Sequence, residues 1–174
     1  MLRSIDKHVD ALATWIERVL AVALLVGISL NVINVIGRYL AGFALNGVDE
    51  IEIYILIWIA FLGAALVTWR GGHLRMDVLI LACPSSVRWL VGWFEMAVML
   101  VVSAFVAWQS FKYVERIYAL GAVSDIAHIP TWIPHSAIAV SFAAIVLIVL
   151  LRGLQRIAGS GQEPADKATE RAGS

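Results

Sequence analysis

Charge is scarce in this sequence. Asp, Glu, Lys and Arg make up 15% of its 174 residues, against about a quarter in an ordinary soluble domain. With 61% hydrophobic residues and a mean hydropathy of +0.85, that scarcity excludes a water-soluble globular protein. Neither sign is in surplus, because thirteen basic residues balance thirteen acidic ones. Nothing here neutralises a run of phosphates, so nucleic acid is excluded as a partner. The single cysteine, Cys83, cannot make an internal disulfide, a CxxC redox pair or a thiolate metal site. Thiol-based quinone oxidoreductases are thereby excluded. There is no phosphate loop, nucleophile elbow or pair of catalytic carboxylates, and the chain reads as a non-enzyme with no cofactor of its own. The four histidines, His8, His73, His128 and His135, sit at or outside the ends of the apolar runs. A haem held between facing helices needs them inside.

What is present is long apolar stretches. Crossing about 30 Å of hydrocarbon takes roughly 17 to 25 helical residues, and four segments qualify: 19–37, 53–69, 89–111 and 132–151. The sequence therefore predicts an all-α membrane protein, with residues 1–158 forming a single four-helix domain of four transmembrane helices plus short interfacial amphipathic helices. An apolar run at 76–83, too short to span and bounded by Arg75 and Pro84, is expected as an interfacial arm. Residues 159–174 have almost nothing to bury and are expected as a disordered cytoplasmic tail. Charges at Arg3, Asp6, Lys7, Asp10, Glu17 and Arg18 precede a full-length span, unlike a cleaved signal peptide, so the first helix is expected to be retained. The leader, with Ile5, Val9, Leu12, Ala13 and Ile16 at helical spacing, reads either as an amphipathic helix on the membrane surface or as an extension of the first span.

Ten of the thirteen Lys and Arg fall in the two termini and residues 70–88, and three in residues 38–52 and 112–131. The positive-inside rule places both termini in the cytoplasm and the latter two connections outside. Trp69, Trp89 and Trp132 lie at span ends, where amphipathic rings favour the interface.

Glu95 is the one ionisable residue inside a span, roughly 9 Å past Trp89 along the helix. It is a candidate proton or cation site, or a carboxyl neutralised or paired across helices. Asn31, Asn34 and Arg38 fall at i, i+3 and i+7 on one face of the first span. Amides there pack against another helix, and Arg38 can snorkel or pair with Asp49, Glu50 or Glu52 at the start of the second span.

Residues 38–81 carry the most distinctive order: Arg38-Tyr39 closing the first span, Asp49-Glu50-Ile51-Glu52 opening the second, Phe61-Leu62-Gly63-Ala64-Ala65 within it, then Arg70-Gly71-Gly72-His73-Leu74-Arg75-Met76-Asp77. Ile129-Pro130-Thr131-Trp132 starts the fourth span. This order resembles the small integral membrane subunit, of the DctQ type, of tripartite ATP-independent periplasmic (TRAP) transporters. It departs from the family at Asp49, where adjacent glutamates are commoner, and at Pro134-His135. The resemblance implies a bacterial inner-membrane, multi-pass scaffold subunit. Its partners would be a large multi-span permease, a periplasmic substrate-binding protein and membrane lipids. The large partner would carry sodium and an organic acid in an elevator motion, and this chain would bind neither. On that reading Arg38 with Glu50 or Glu52 locks the outer ends of two spans, and Gly63, Ala64 and Ala65 permit close helix approach. His73, Arg75 and Asp77 fix the turn into the arm. Asp49, Glu50, Glu115, Arg116 and Asp125 are candidates for docking the periplasmic protein, and apolar faces bearing Trp58, Trp93 and Trp108 meet the large subunit or lipid. The alternatives are a self-sufficient, proton-coupled exporter acting through Glu95 and an anchoring subunit of another membrane complex.

Overall fold

A segment that crosses hydrocarbon must satisfy every backbone N–H and C=O within itself, which leaves the α-helix as the form available to single apolar runs of this length. The computed structural model describes residues 2–40, 42–43, 45–70 and 85–160, and there the chain forms four helices. These are α1 (Leu2–Leu40), α2 (Val48–Arg70), α3 (Ser85–Leu120) and α4 (Trp132–Ser160). Each contains a stretch long and apolar enough to span a membrane.

The leader and the first span are one continuous helix of 39 residues, about 58 Å long at 1.5 Å per residue. No Gly or Pro interrupts it before Gly27, so nothing ends the helix where the apolar run begins, and the extension is the form adopted. At the other end of the chain α4 runs on to Ser160, two residues into the segment expected as a tail; the rest of that tail, 161–174, lies outside the described residues, as does the arm at 76–83. Pro134 fits helical geometry because it stands in the first turn of α4, where N–H groups have no intrahelical acceptor to lose.

α1 packs on α2, α2 on α4, and α4 on α3. The spatial order α1–α2–α4–α3 makes a row in which α4, last in sequence, is an inner helix. Its buried ridge recurs every four residues through Ala137, Ser141, Ile145 and Val149, the spacing that lines one helix face. Ile145 and Val149 form the core with Ala65 of α2, and Met96, Met99 and Leu100 of α3 close over it. Phe61 and Phe142 add a tilted ring contact at 6.3 Å. Between α1 and α2 the approach is close at Gly27, where an added Cβ would stand 3.8 Å from Ile55.

The end of α1, the start of α2 and the 121–131 connection lie at one end of the row, called here the loop end. The start of α1 and the end of α4 lie at the other.

Candidate functional site

The face of α1 carrying Asn31, Asn34 and Arg38 meets α2 at the loop end, and it does so in register. Asp49 and Glu52 are three residues apart on α2, so they present a matching stripe. The Asn31 side-chain amide donates to Glu52 Oε2 at 2.8 Å, and that of Asn34 donates to Asp49 Oδ1 at 3.2 Å. Arg38 stands 3.7 Å from Asp49 Oδ2. Asn34 is 4% exposed and does double duty, since its Oδ1 accepts the backbone N–H of Leu45 at 3.0 Å and holds that residue just before α2. Of the three acidic partners open to Arg38 from the sequence, the structure pairs it with Asp49, and not with Glu50 or Glu52, the pairing that the family resemblance implied. Helical spacing is the reason, because Glu50 lies about 100° round α2 from Asp49 and faces elsewhere, and Glu52 is engaged one turn deeper.

Glu50 faces the 121–131 connection. Its carboxylate accepts the backbone N–H of Ala127 at 2.8 Å and of Ile126 at 3.2 Å. The connection is folded on itself as well: Ser124 N–H donates to the Ile129 carbonyl at 2.9 Å and Thr131 N–H to that of Ala122 at 3.0 Å. Ser124 Oγ accepts the Ile129 N–H at 3.1 Å. Gly47 makes the contact possible. Its φ is 84°, a left-handed conformation that glycine adopts without steric penalty, and a Cβ there would stand 3.1 Å from that of Ala127. One acidic triplet thus ties α2 to two neighbours, with Asp49 and Glu52 holding α1 and Glu50 holding the α3–α4 connection.

A second set of polar contacts closes the opposite end. Trp69 Nε1 donates to Asp10 at 2.7 Å, Arg70 pairs with Glu17 at 2.5 Å, and the Arg152 guanidinium donates to the Trp69 carbonyl. Asp10 and Glu17, which the sequence shows only as charges ahead of the first apolar run, thereby take part in helix packing. Their seven-residue spacing, two turns along one face, was the available signal.

Other anticipated positions divide. Gly63 does not mediate helix approach, since a Cβ added there meets nothing within 4 Å; Ala65, 5% exposed, is the small residue in the core. The two are about 200° apart on the helix, so only one can face α4. Gly153, not singled out from sequence, is where α4 meets α3, with Met96 atoms 3.4 Å from an added Cβ. Glu95 is half-buried and engaged within the chain. Glu115 and Asp125 are exposed, and Arg116 lines a groove between α3 and α4. Trp108 is exposed, whereas Trp58 and Trp93 are half-buried. His73, Arg75 and Asp77 lie outside the described residues. Among the described residues no three His, Cys, Asp or Glu side chains converge as a metal site would require.

Four apolar helices in a row, stitched by an acidic triplet at the start of the second and each long enough to span a bilayer, define the class as a multi-pass membrane protein. Residues 24–159 match the family described as tripartite ATP-independent periplasmic transporters, DctQ component, and the chain belongs to that family. It is similar to the ectoine TRAP transporter small permease protein TeaB of Halomonas elongata, with 28% identity over 139 residues covering 72% of this chain and 68% of the relative. It is also similar to the isethionate TRAP transporter permease protein DctMQ of Oleidesulfovibrio alaskensis, at 27% identity over 132 residues. That match takes 72% of this chain and spans 20% of the larger protein. The chain is a small subunit of a TRAP transporter, a multi-pass membrane protein.

Proposed function

We propose that this subunit is a scaffold for a large, sodium-coupled elevator permease that takes up an organic acid handed over by a periplasmic binding protein, in a bacterial inner membrane with both termini in the cytoplasm. The observation that carries the reading is the row of helices. It leaves broad apolar faces outward, with Leu25 of α1 65% exposed and Phe94 of α3 69% exposed, suited to a partner or to lipid. The described spans are continuous, without the broken helices that build a substrate site in secondary transporters. The match to one fifth of the larger isethionate permease protein supports a large partner, since there a region like this chain shares a polypeptide with four times its length of other sequence. The relatives are named for two different solutes, which fits a subunit that leaves solute choice to its partners. On this reading sodium sits on the large subunit, and Glu115 and Asp125 at the loop end face the binding protein.

Affinity purification of the tagged chain from its native host, followed by mass spectrometry, tests the proposal. Recovery of a large multi-span permease near one-to-one is the expected result. Recovery of homo-oligomers alone, from membranes that contain such a permease, would overturn it and favour the exporter reading through Glu95.

A further inference from the structure

Between α3 and α4 at the loop end lies a groove of about 460 Å³ whose lining includes Gln109, Lys112, Tyr113, Arg116 and His135. Lys112 and Arg116 are four residues apart and so project from one face of α3. Neither has a carboxylate within 4.0 Å among the described residues. Glu115 stands three residues from Lys112, on the adjoining face of α3, but its carboxylate pairs with neither cation and it does not line the groove. Lys112 Nζ instead stands 3.9 Å from the centroid of the Trp108 ring. That contact holds the ammonium in place and leaves its N–H donors for another acceptor. On α4, His135 uses Nδ1 on the Thr131 carbonyl at 2.7 Å and packs its ring 5.1 Å from that of Tyr113, so the groove wall is set by fixed rings.

Depth identifies the ligand. The uncharged stretch of α3 ends at Phe111, and Lys112 and Arg116 are the first cations beyond it, at the level of lipid headgroups. One and two turns before Lys112, and so about 6 and 10 Å deeper along the helix, Trp108 and Phe105 are 55% and 61% exposed, toward acyl-chain level. Cations above exposed apolar rings reproduce the layering of a phospholipid, phosphate outside and hydrocarbon beneath. We propose that this groove binds an anionic phospholipid, with Lys112 and Arg116 holding its phosphodiester and the Phe105 and Trp108 rings lying along an acyl chain. The site needs only that α3 crosses the membrane, and it is independent of the transport reading and of which leaflet the loop end faces.

The test titrates the purified full-length chain, in mild detergent, with dioleoyl phosphatidylglycerol, dioleoyl phosphatidylcholine and inorganic phosphate, read by native mass spectrometry. Phosphatidylglycerol is expected to bind more tightly than phosphatidylcholine, and inorganic phosphate to leave no adduct. Each membrane-facing cation is worth about fivefold in affinity for an anionic lipid. Lys112→Gln with Arg116→Gln should therefore weaken phosphatidylglycerol by about thirtyfold, while Lys112→Arg with Arg116→Lys retains it. Circular dichroism confirms that the variants are folded; if the double variant is not, each single Gln variant reads out on its own at about fivefold. Equal retention of phosphatidylglycerol by wild type and folded Gln variants, or no preference over phosphatidylcholine, overturns the proposal. Competition by inorganic phosphate at comparable concentration overturns the lipid as ligand.

Discussion

The most apolar stretches of α1 and α4 have the same mean hydropathy, 2.5, yet 28% of that stretch is buried in α4 and 6% in α1. Hydropathy decides that a segment leaves water; it does not decide whether the segment then meets protein or lipid. The difference between the two helices lies in side-chain size along one face. Ala137 and Ser141 are both fully buried, 0% exposed, and let α4 come close to its neighbours, since small residues are what permits helix approach where no hydrophobic force separates protein from lipid. α1 has one neighbour in the row and presents Leu25, Val22 and Ile28 outward.

Substituting the same residue type on both helices breaks the comparison most sharply. Ser141→Leu is expected to destabilise by about 2 kcal/mol or more through overpacking, and Ser29→Leu, on the exposed side of α1, to stay within about 0.5 kcal/mol. Thermal unfolding in detergent checks both, and equal shifts would remove the distinction. Next in size is Asn34→Ala, at about 1 to 2 kcal/mol, because the buried Asn34 amide makes two bonds, to the Leu45 N–H and to Asp49, and both are lost. Asn31→Ala should cost less, about 0.6 kcal/mol, the usual magnitude for one interhelical hydrogen bond in a membrane, and the order of the two midpoints is the measurement. The smallest effect is expected for Arg38→Gln. The pair is 51% and 67% exposed at its two side chains and separated by 3.7 Å, so solvent screening leaves about 0.5 kcal/mol or less. A double-mutant cycle with Asp49→Asn reads that coupling directly.

The sequence made the four spans legible because insertion depends on composition summed over some twenty residues, and that sum needs no knowledge of neighbours. It also made the Asn31, Asn34 and Arg38 stripe legible, because three polar residues on one face of an apolar helix must look into protein. The partner of each was beyond reach. Asp49, Glu50 and Glu52 are equivalent as charges, and only the rotation of α2 between α1 and the 121–131 connection sends Glu50 one way and the other two the opposite way. The packing roles of Asp10 and Glu17 were hidden for a similar reason: their partners, Trp69 and Arg70, come from 59 and 53 residues away. Gly63, Ala64 and Ala65 were all named for close approach by residue type, and helical phase decides that Ala65, not Gly63, is the one in the core.

Composition and periodicity by themselves determined that this chain lives in a bilayer as four helices, and the order of its short motifs pointed to its family. Which helices lie inside the row was decided by tertiary structure alone. Hydrocarbon solvates apolar side chains as well as a protein interior does, so hydrophobicity ranks no helix above another once all four are inserted. The row order follows from small-residue ridges and from which carboxylate of α2 reaches which donor, and both are settled only when the helices meet.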